Sequence, residues 1–162
     1  MTDPDPEPTP VGSGSQLLDD RMCFVLYAAS RAVTGVYRPL LDGLGLTYPQ
    51  YLVLLALWER GELSVKQLGS MLYLDYGTLT PLLKRLEANG LIRRERRPDD
   101  ERTVTITLTA DGIAMRERAR DIPGKIGEAM GMGPDTAEEF ENARTVLLGM
   151  IDRINRGGSP RR

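Results

Sequence analysis

The sequence predicts a mainly α-helical fold carrying one small β-hairpin, and three observations predict it. Apolar residues recur at helical spacing through most of the chain, as in Leu18, Met22, Val25, Leu26, Ala29, Val33 and Val36. Helix-start signals stand in front of the central segments, with Thr47 and Ser64 each followed three residues later by glutamine, the pattern of a capping box. The period then switches to two in "LIRRERRPDDERTVTITLT", where Val104, Ile106 and Leu108 alternate with threonines and "PDDE" supplies a turn.

Each element follows in order. Residues 1–15, "MTDPDPEPTPVGSGS", are acidic and rich in proline and glycine, which reads as a disordered tail without the basic and apolar regions of a secretory signal. The first helix is expected from Leu18 and is interrupted at Gly35 and Arg38-Pro39, because the residue before proline is pushed out of the helical region. A short helical turn from Pro39 to about Leu44 follows, so that 16–46 form N-terminal helices. Thr47 opens a helix with Pro49 in its first turn, running to Arg60 and stopping at Gly61. Ser64 opens a shorter one to about Leu72. The next helix ends at Asn89-Gly90. Its start is open: a cap at Gly77 or Thr78 puts Pro81 among the first four positions, whereas a start at Asp75 puts Pro81 inside the helix. After the hairpin, two helical patterns run from about Ala110 to Pro123 and from Asp135 to about Asn155, giving C-terminal helices over 110–156 and a flexible tail over 157–162. The last carries Phe140, Ala143, Leu147, Met150, Ile151 and Ile154 on one stripe.

Composition narrows the function. One cysteine, Cys23, excludes an internal disulfide framework, and the apolar runs are too short and interrupted to span a membrane, which points to an intracellular, cytoplasmic protein. The 21 basic and 23 acidic residues leave a net charge of −2, but the charges are segregated. Asp3, Asp5, Glu7, Asp19 and Asp20 lie at the front. Lys84, Arg85, Arg93, Arg94, Arg96, Arg97 and Arg102 crowd one short window.

A helix, a short helix, a third helix and then a basic hairpin is the order of a winged helix-turn-helix, here over 47–109. In that arrangement the third helix enters the major groove and the hairpin lies along phosphates or reaches into the minor groove. Lys84, Arg85, Arg94, Arg96, Arg97 and Arg102 suit phosphate contacts with double-stranded DNA. Tyr76, Thr78 and Thr80 at the helix start suit base reading. The outer helices need a surface to pack on, and a two-fold dimer built from the N- and C-terminal helices supplies it, matching an inverted repeat in the DNA.

"GLTYPQYLVLLALWE", "LDYGTLTPLLKRLEANGLI" and "RPDDERTVTITLT", with its Asp100-x-Arg102 step, resemble the MarR family, and within it the organic hydroperoxide-sensing OhrR branch of the single-cysteine type. The resemblance runs from about Leu17 to Gly112. It implies a dimeric repressor whose N-terminal cysteine is oxidised by organic hydroperoxide, after which operator DNA is released. The sensing cysteine corresponds to Cys23 and the tyrosines that hydrogen-bond its thiolate to Tyr37 and Tyr48. Spacing adds Tyr27, four residues after Cys23 and on the same helical face. Tyr37 lies fourteen residues on, a rise of about 21 Å along a helix, so contact with Cys23 requires either a sharp chain reversal or a second subunit. Asp100 is placed to orient Arg102. Asp19 and Asp20 would raise the thiol pKa if they face Cys23, and Arg21 or Arg38 would oppose them.

Other readings of the same residues predict different behaviour. A lone cysteine also serves as a small buried hydrophobe. A regulator that binds an aromatic or phenolic ligand would line its pocket with Tyr27, Tyr37, Tyr48 and Trp58, although a tryptophan at this position is more simply core. A thiol peroxidase would need a resolving step, yet there is no second cysteine and no histidine base. No enzyme, cofactor or metal is therefore expected. A sulfenic acid on Cys23 would have to go on to a mixed disulfide with a small thiol, a sulfenamide, or a sulfinic or sulfonic acid.

Overall fold

In a computed structural model of the chain, which describes residues 17–18, 21–97 and 100–157, seven helices and three strands follow one another. The first helix, α1, spans Met22–Asp42 without a break. The interruption expected at Arg38-Pro39 is absent, and so is the separate short helix after it. Pro39 removes a single N–H, whose partner would have been the carbonyl of Gly35. The helix continues because Leu41, two residues on, is fully buried. The start also falls later than Leu18, at Met22, with extended Arg21 as the N-cap.

Two capping boxes set the next two helices. In α2 (Tyr48–Arg60) Gln50 Oε1 accepts from the Thr47 backbone N–H at 2.8 Å, and Gly61 ends the helix at φ 79°. In α3 (Val65–Leu72) Ser64 Oγ accepts from the Gln67 N–H at 3.2 Å while Gln67 Oε1 accepts from the Ser64 N–H at 2.8 Å. The third helix of the motif, α4 (Tyr76–Ala88), begins at the earlier of the two starts left open by the sequence. Asp75 caps it, accepting from the Thr78 N–H at 2.7 Å and from the Thr78 hydroxyl at 3.1 Å. Pro81 is the sixth residue of α4. The carbonyl it deprives of a donor again belongs to a glycine, Gly77.

The hairpin consists of β2 (Ile92–Arg97) and β3 (Asp100–Leu108), paired antiparallel from Ile92↔Leu108 to Arg96↔Val104, with a register shift between Arg96 and Arg97. A third strand, absent from the sequence reading, completes the sheet: β1 (Leu63–Ser64) pairs antiparallel with β3 through Leu63↔Ile106 and Ser64↔Thr105, in the order β1-β3-β2. Two residues carry no alternation to detect, and β1 exists because β3 offers it an edge.

The core of this part of the chain is leucine-rich. Val53, Leu54 and Leu57 of α2 meet Leu68 of α3, Leu79, Leu83 and Leu86 of α4, and Ile92 and Ile106 of the sheet, all shielded from solvent. The helix expected from Ala110 to Pro123 is two helices, α5 (Ala110–Arg118) and α6 (Ile122–Ala129), because Pro123 is seated in the first turn of a new helix rather than at the end of the old one. Packing divides the chain after Arg120, with α5 in the first unit. Gly112 of α5 passes so close to the Leu91 carbonyl that a Cβ there would overlap it.

The second unit holds α6 and α7 (Ala137–Gly157), joined by a turn with Gly131 at φ 70°. No residue of α7 is buried, and Val146, Leu147, Leu148 and Ile154 are exposed. Met130, Met132, Phe140, Leu147 and Leu148 line an apolar cavity of about 720 Å³.

Candidate functional site

Cys23 is the second residue of α1, exposed and without a disulfide. Within one chain Cys23 is therefore not a core residue. Asp19 and Asp20, expected to oppose thiolate formation, lie outside the described residues. Tyr27 follows one turn later on the exposed side, where its hydroxyl accepts from Arg31 Nη1 at 3.3 Å and its ring has the Arg31 guanidinium 5.6 Å from the centroid. Arg21 and Arg38 are both exposed. Because α1 is continuous from Met22 to Asp42, there is no chain reversal between Cys23 and Tyr37, and the rise of about 21 Å keeps them apart within one chain.

Tyr37 and Tyr48 are brought together. Their ring centroids lie 4.6 Å apart across the α1–α2 junction, Tyr37 and Tyr51 lie 5.9 Å apart, and Tyr51 meets Trp58 edge-on at 6.1 Å. Burial pushes the hydroxyls of Tyr37, Tyr48 and Tyr51 above the ordinary tyrosine pKa, and for Tyr37 the neighbouring Tyr48 and Tyr51 add to the effect. These groups are therefore protonated, and available as donors, throughout the neutral range. Tyr48 also lines a cavity of about 260 Å³ with Thr34, Arg38, Leu41, Asp42, Leu46 and Thr47. Tyr51 was not singled out from the sequence, although its position three residues after Tyr48 places both on neighbouring faces of α2. Trp58 donates from Nε1 to the Gly112 carbonyl at 2.9 Å and so ties α2 to α5, away from Tyr27.

The second surface is built by α4 and the hairpin. Tyr76, Thr78, Lys84 and Arg85 are exposed on α4, whereas Thr80 is half-buried with its hydroxyl donating to the Tyr76 carbonyl at 2.8 Å. The Thr78 hydroxyl is held by Asp75, whose carboxyl is pushed below its ordinary pKa by the two hydrogen bonds from Thr78. On β2, Arg93 and Arg96 are exposed. Arg94 is engaged instead by Glu87 of α4: Nε and Nη2 each lie 2.7 Å from Glu87 Oε2, and the Arg94 backbone N–H donates to Oε1 at 3.1 Å. The side chains of Arg97, Asp100 and Arg102 lie outside the described residues. Tyr73, exposed in the turn between α3 and α4, holds a left-handed φ of 55°; the engagement of Arg94 by Glu87 was not legible from residue type. Among the described residues no group of three acidic, histidine or cysteine side chains is placed to hold a metal, and no helix is long and apolar enough to cross a membrane.

Comparison with known proteins places this geometry. The MarR family profile matches residues 46–104. The organic hydroperoxide resistance transcriptional regulator of Bacillus subtilis is 49% identical over 138 residues, covering 85% of this chain and 92% of that protein. Among solved structures, reduced AbfR bound to DNA is 36% identical, with a TM-score of 0.68 over 83% of this chain and 94% of that one; AbfR is a protein of Staphylococcus epidermidis. Overoxidized AbfR bound to DNA, also 36% identical, has a TM-score of 0.64 over 82% and 94% of the two chains. An identity of one residue in two, extending well beyond the winged helix, goes with the shared architecture: the chain belongs to the MarR family of transcriptional regulators.

Proposed function

We propose that this protein is a homodimeric, cytoplasmic repressor that binds an inverted repeat in double-stranded DNA and releases it when an organic hydroperoxide oxidises Cys23. The observation that carries this reading is the Tyr37–Tyr48 pair, its rings tilted 43° to one another with centroids 4.6 Å apart, at one end of an unbroken α1 whose other end presents an exposed lone thiol. Two such helices crossing about a two-fold axis bring the thiol of one subunit to the tyrosine pair of the other, where two phenolic O–H groups favour the thiolate. Exposed apolar residues on α1 (Met22, Val25) and on α7 suit a surface that a second copy covers.

The chemistry balances without a cofactor. The thiolate attacks the terminal peroxide oxygen, an S–O bond forms as the O–O bond breaks, and the departing alkoxide takes a proton from water and leaves as the alcohol, so that Cys23 becomes a sulfenic acid. A small thiol then attacks sulfur and expels water, leaving a mixed disulfide. In AbfR an overoxidized form is bound to DNA, which favours a bulky adduct over a sulfinic or sulfonic acid as the species that ends binding here. The adduct displaces Tyr48, the first residue of α2, and a small rigid-body movement of the helices behind it changes the spacing of the two α4 helices. On the DNA side, Lys84, Arg85, Arg96, Arg97 and Arg102 contact phosphates, Asp100 orients Arg102, and Tyr76, Thr78 and Thr80 form the base-facing end of α4.

The test compares Cys23→Ser with the parent. Both bind DNA when reduced, and hydroperoxide with a small thiol releases the parent alone. Equal release of the two would exclude Cys23 as the sensor and favour a ligand-responsive regulator.

A further inference from the structure

The wing arginines form one run in the sequence, yet the structure separates Arg94 from its described neighbours Arg93 and Arg96. Arg94 gives its guanidinium and its backbone N–H to a single carboxylate, Glu87. Glu87 sits in the last turn of α4, and β2 is an edge strand of the sheet, with β3 as its one neighbour. Both oxygens of Glu87 are thus used to fasten the outer edge of the wing to the recognition helix. The pair is 28% and 36% exposed, shielded enough for its geometry to persist and too committed to offer a free cation. Arg93 and Arg96 on the same strand are exposed.

We propose that Glu87 is a positioning residue for operator recognition, and that Arg94 belongs to this fastening rather than to the phosphate contacts. The inference rests on the DNA-binding reading above. A winged helix discriminates between sequences when its helix and wing dock in fixed relation, one in the major groove and the other beside it. The Glu87–Arg94 link sets that relation where helix passes into strand. It also keeps one positive charge out of the sequence-independent attraction to DNA, which raises the ratio of specific to non-specific binding.

The two roles of an arginine separate by salt dependence. The full-length reduced protein is titrated by fluorescence anisotropy against a duplex that the parent selects from a random-sequence pool and against a shuffled duplex, each over a range of salt. On the shuffled duplex Lys84→Gln should reduce the slope of log K against log salt by about 0.9, the loss of one phosphate contact, whereas Arg94→Gln should leave it unchanged. Glu87→Gln should lower the ratio of selected to shuffled affinity by about tenfold, the order expected when base contacts are set out of place. The double variant Glu87→Gln, Arg94→Gln should be no worse than either single one, because the two residues act as a unit. A flattened slope for Arg94→Gln would overturn the assignment, and so would a parent-like ratio for Glu87→Gln. If Glu87→Gln fails to fold, Arg94→Gln on the edge strand still decides the matter. A parent that cannot discriminate between the two duplexes would overturn the DNA-binding reading itself, an outcome distinct from either.

Discussion

At the scale of single residues, the proposed sensing depends on protons that must stay where they are. Burial raises the pKa of Tyr37, Tyr48 and Tyr51, so the folded chain holds these phenolic protons to higher pH than the unfolded chain does. Their contribution to stability is therefore complete below the unfolded value of about 10 and is lost as pH rises through the higher folded values. Thermal melts should show Tm falling from about pH 10 upward. Tyr48→Phe should make that fall shallower. The same substitution, and Tyr37→Phe, should keep DNA binding in the reduced protein while slowing the reaction of Cys23 with hydroperoxide, read by stopped-flow loss of free thiol; parent rates in both would exclude the tyrosines as thiolate partners. The sequence exposes these residues unequally. Tyr37 and Tyr48 are identifiable by family resemblance. Glu87 is not, because a charge run reads the same whether a guanidinium faces DNA or a carboxylate seven residues earlier.

Among the elements, those governed by local chemistry are legible and those governed by distant packing are not. The capping boxes at Thr47 and Ser64 predict the starts of α2 and α3 to the residue, since every group involved lies within one turn. Pro39 misleads because the rule against proline is also local, whereas the burial of Leu41 that carries α1 past it is tertiary. Two elements give direct tests. Asp75→Ala should lower Tm and fray the first turn of α4, seen as faster hydrogen exchange of the Thr78 amide; an unchanged exchange rate would show that the cap is redundant. Gly112→Ala forces a methyl group against the Leu91 carbonyl and strains the bond from Trp58 Nε1 to the Gly112 carbonyl. Overpacking of this kind costs roughly 1–3 kcal/mol, measurable as a lower urea midpoint. A parent-like midpoint would mean that α5 moves freely away from Leu91.

The whole molecule, on the proposed reading, is a dimer that sediments as such at micromolar concentration, and a stable monomer would exclude the shared sensing site. One chain alone does not hold the proposed site, because the distance along α1 separates its halves; the sequence joins the thiol and the two tyrosines through the family resemblance, and their spacing then calls for a chain reversal or a second subunit. The unbroken α1 makes each chain a donor of two unlike halves, a thiol at one end and a tyrosine pair at the other. Genetic complementation should follow. A subunit carrying Cys23→Ser and one carrying Tyr37→Phe with Tyr48→Phe are each impaired as homodimers, yet a mixed dimer contains one site assembled wholly from intact halves and one that lacks both. Purified after co-expression, the mixed dimer should restore a rapid hydroperoxide response at half the parent's number of reactive thiols, which a site contained within one subunit has no means to produce.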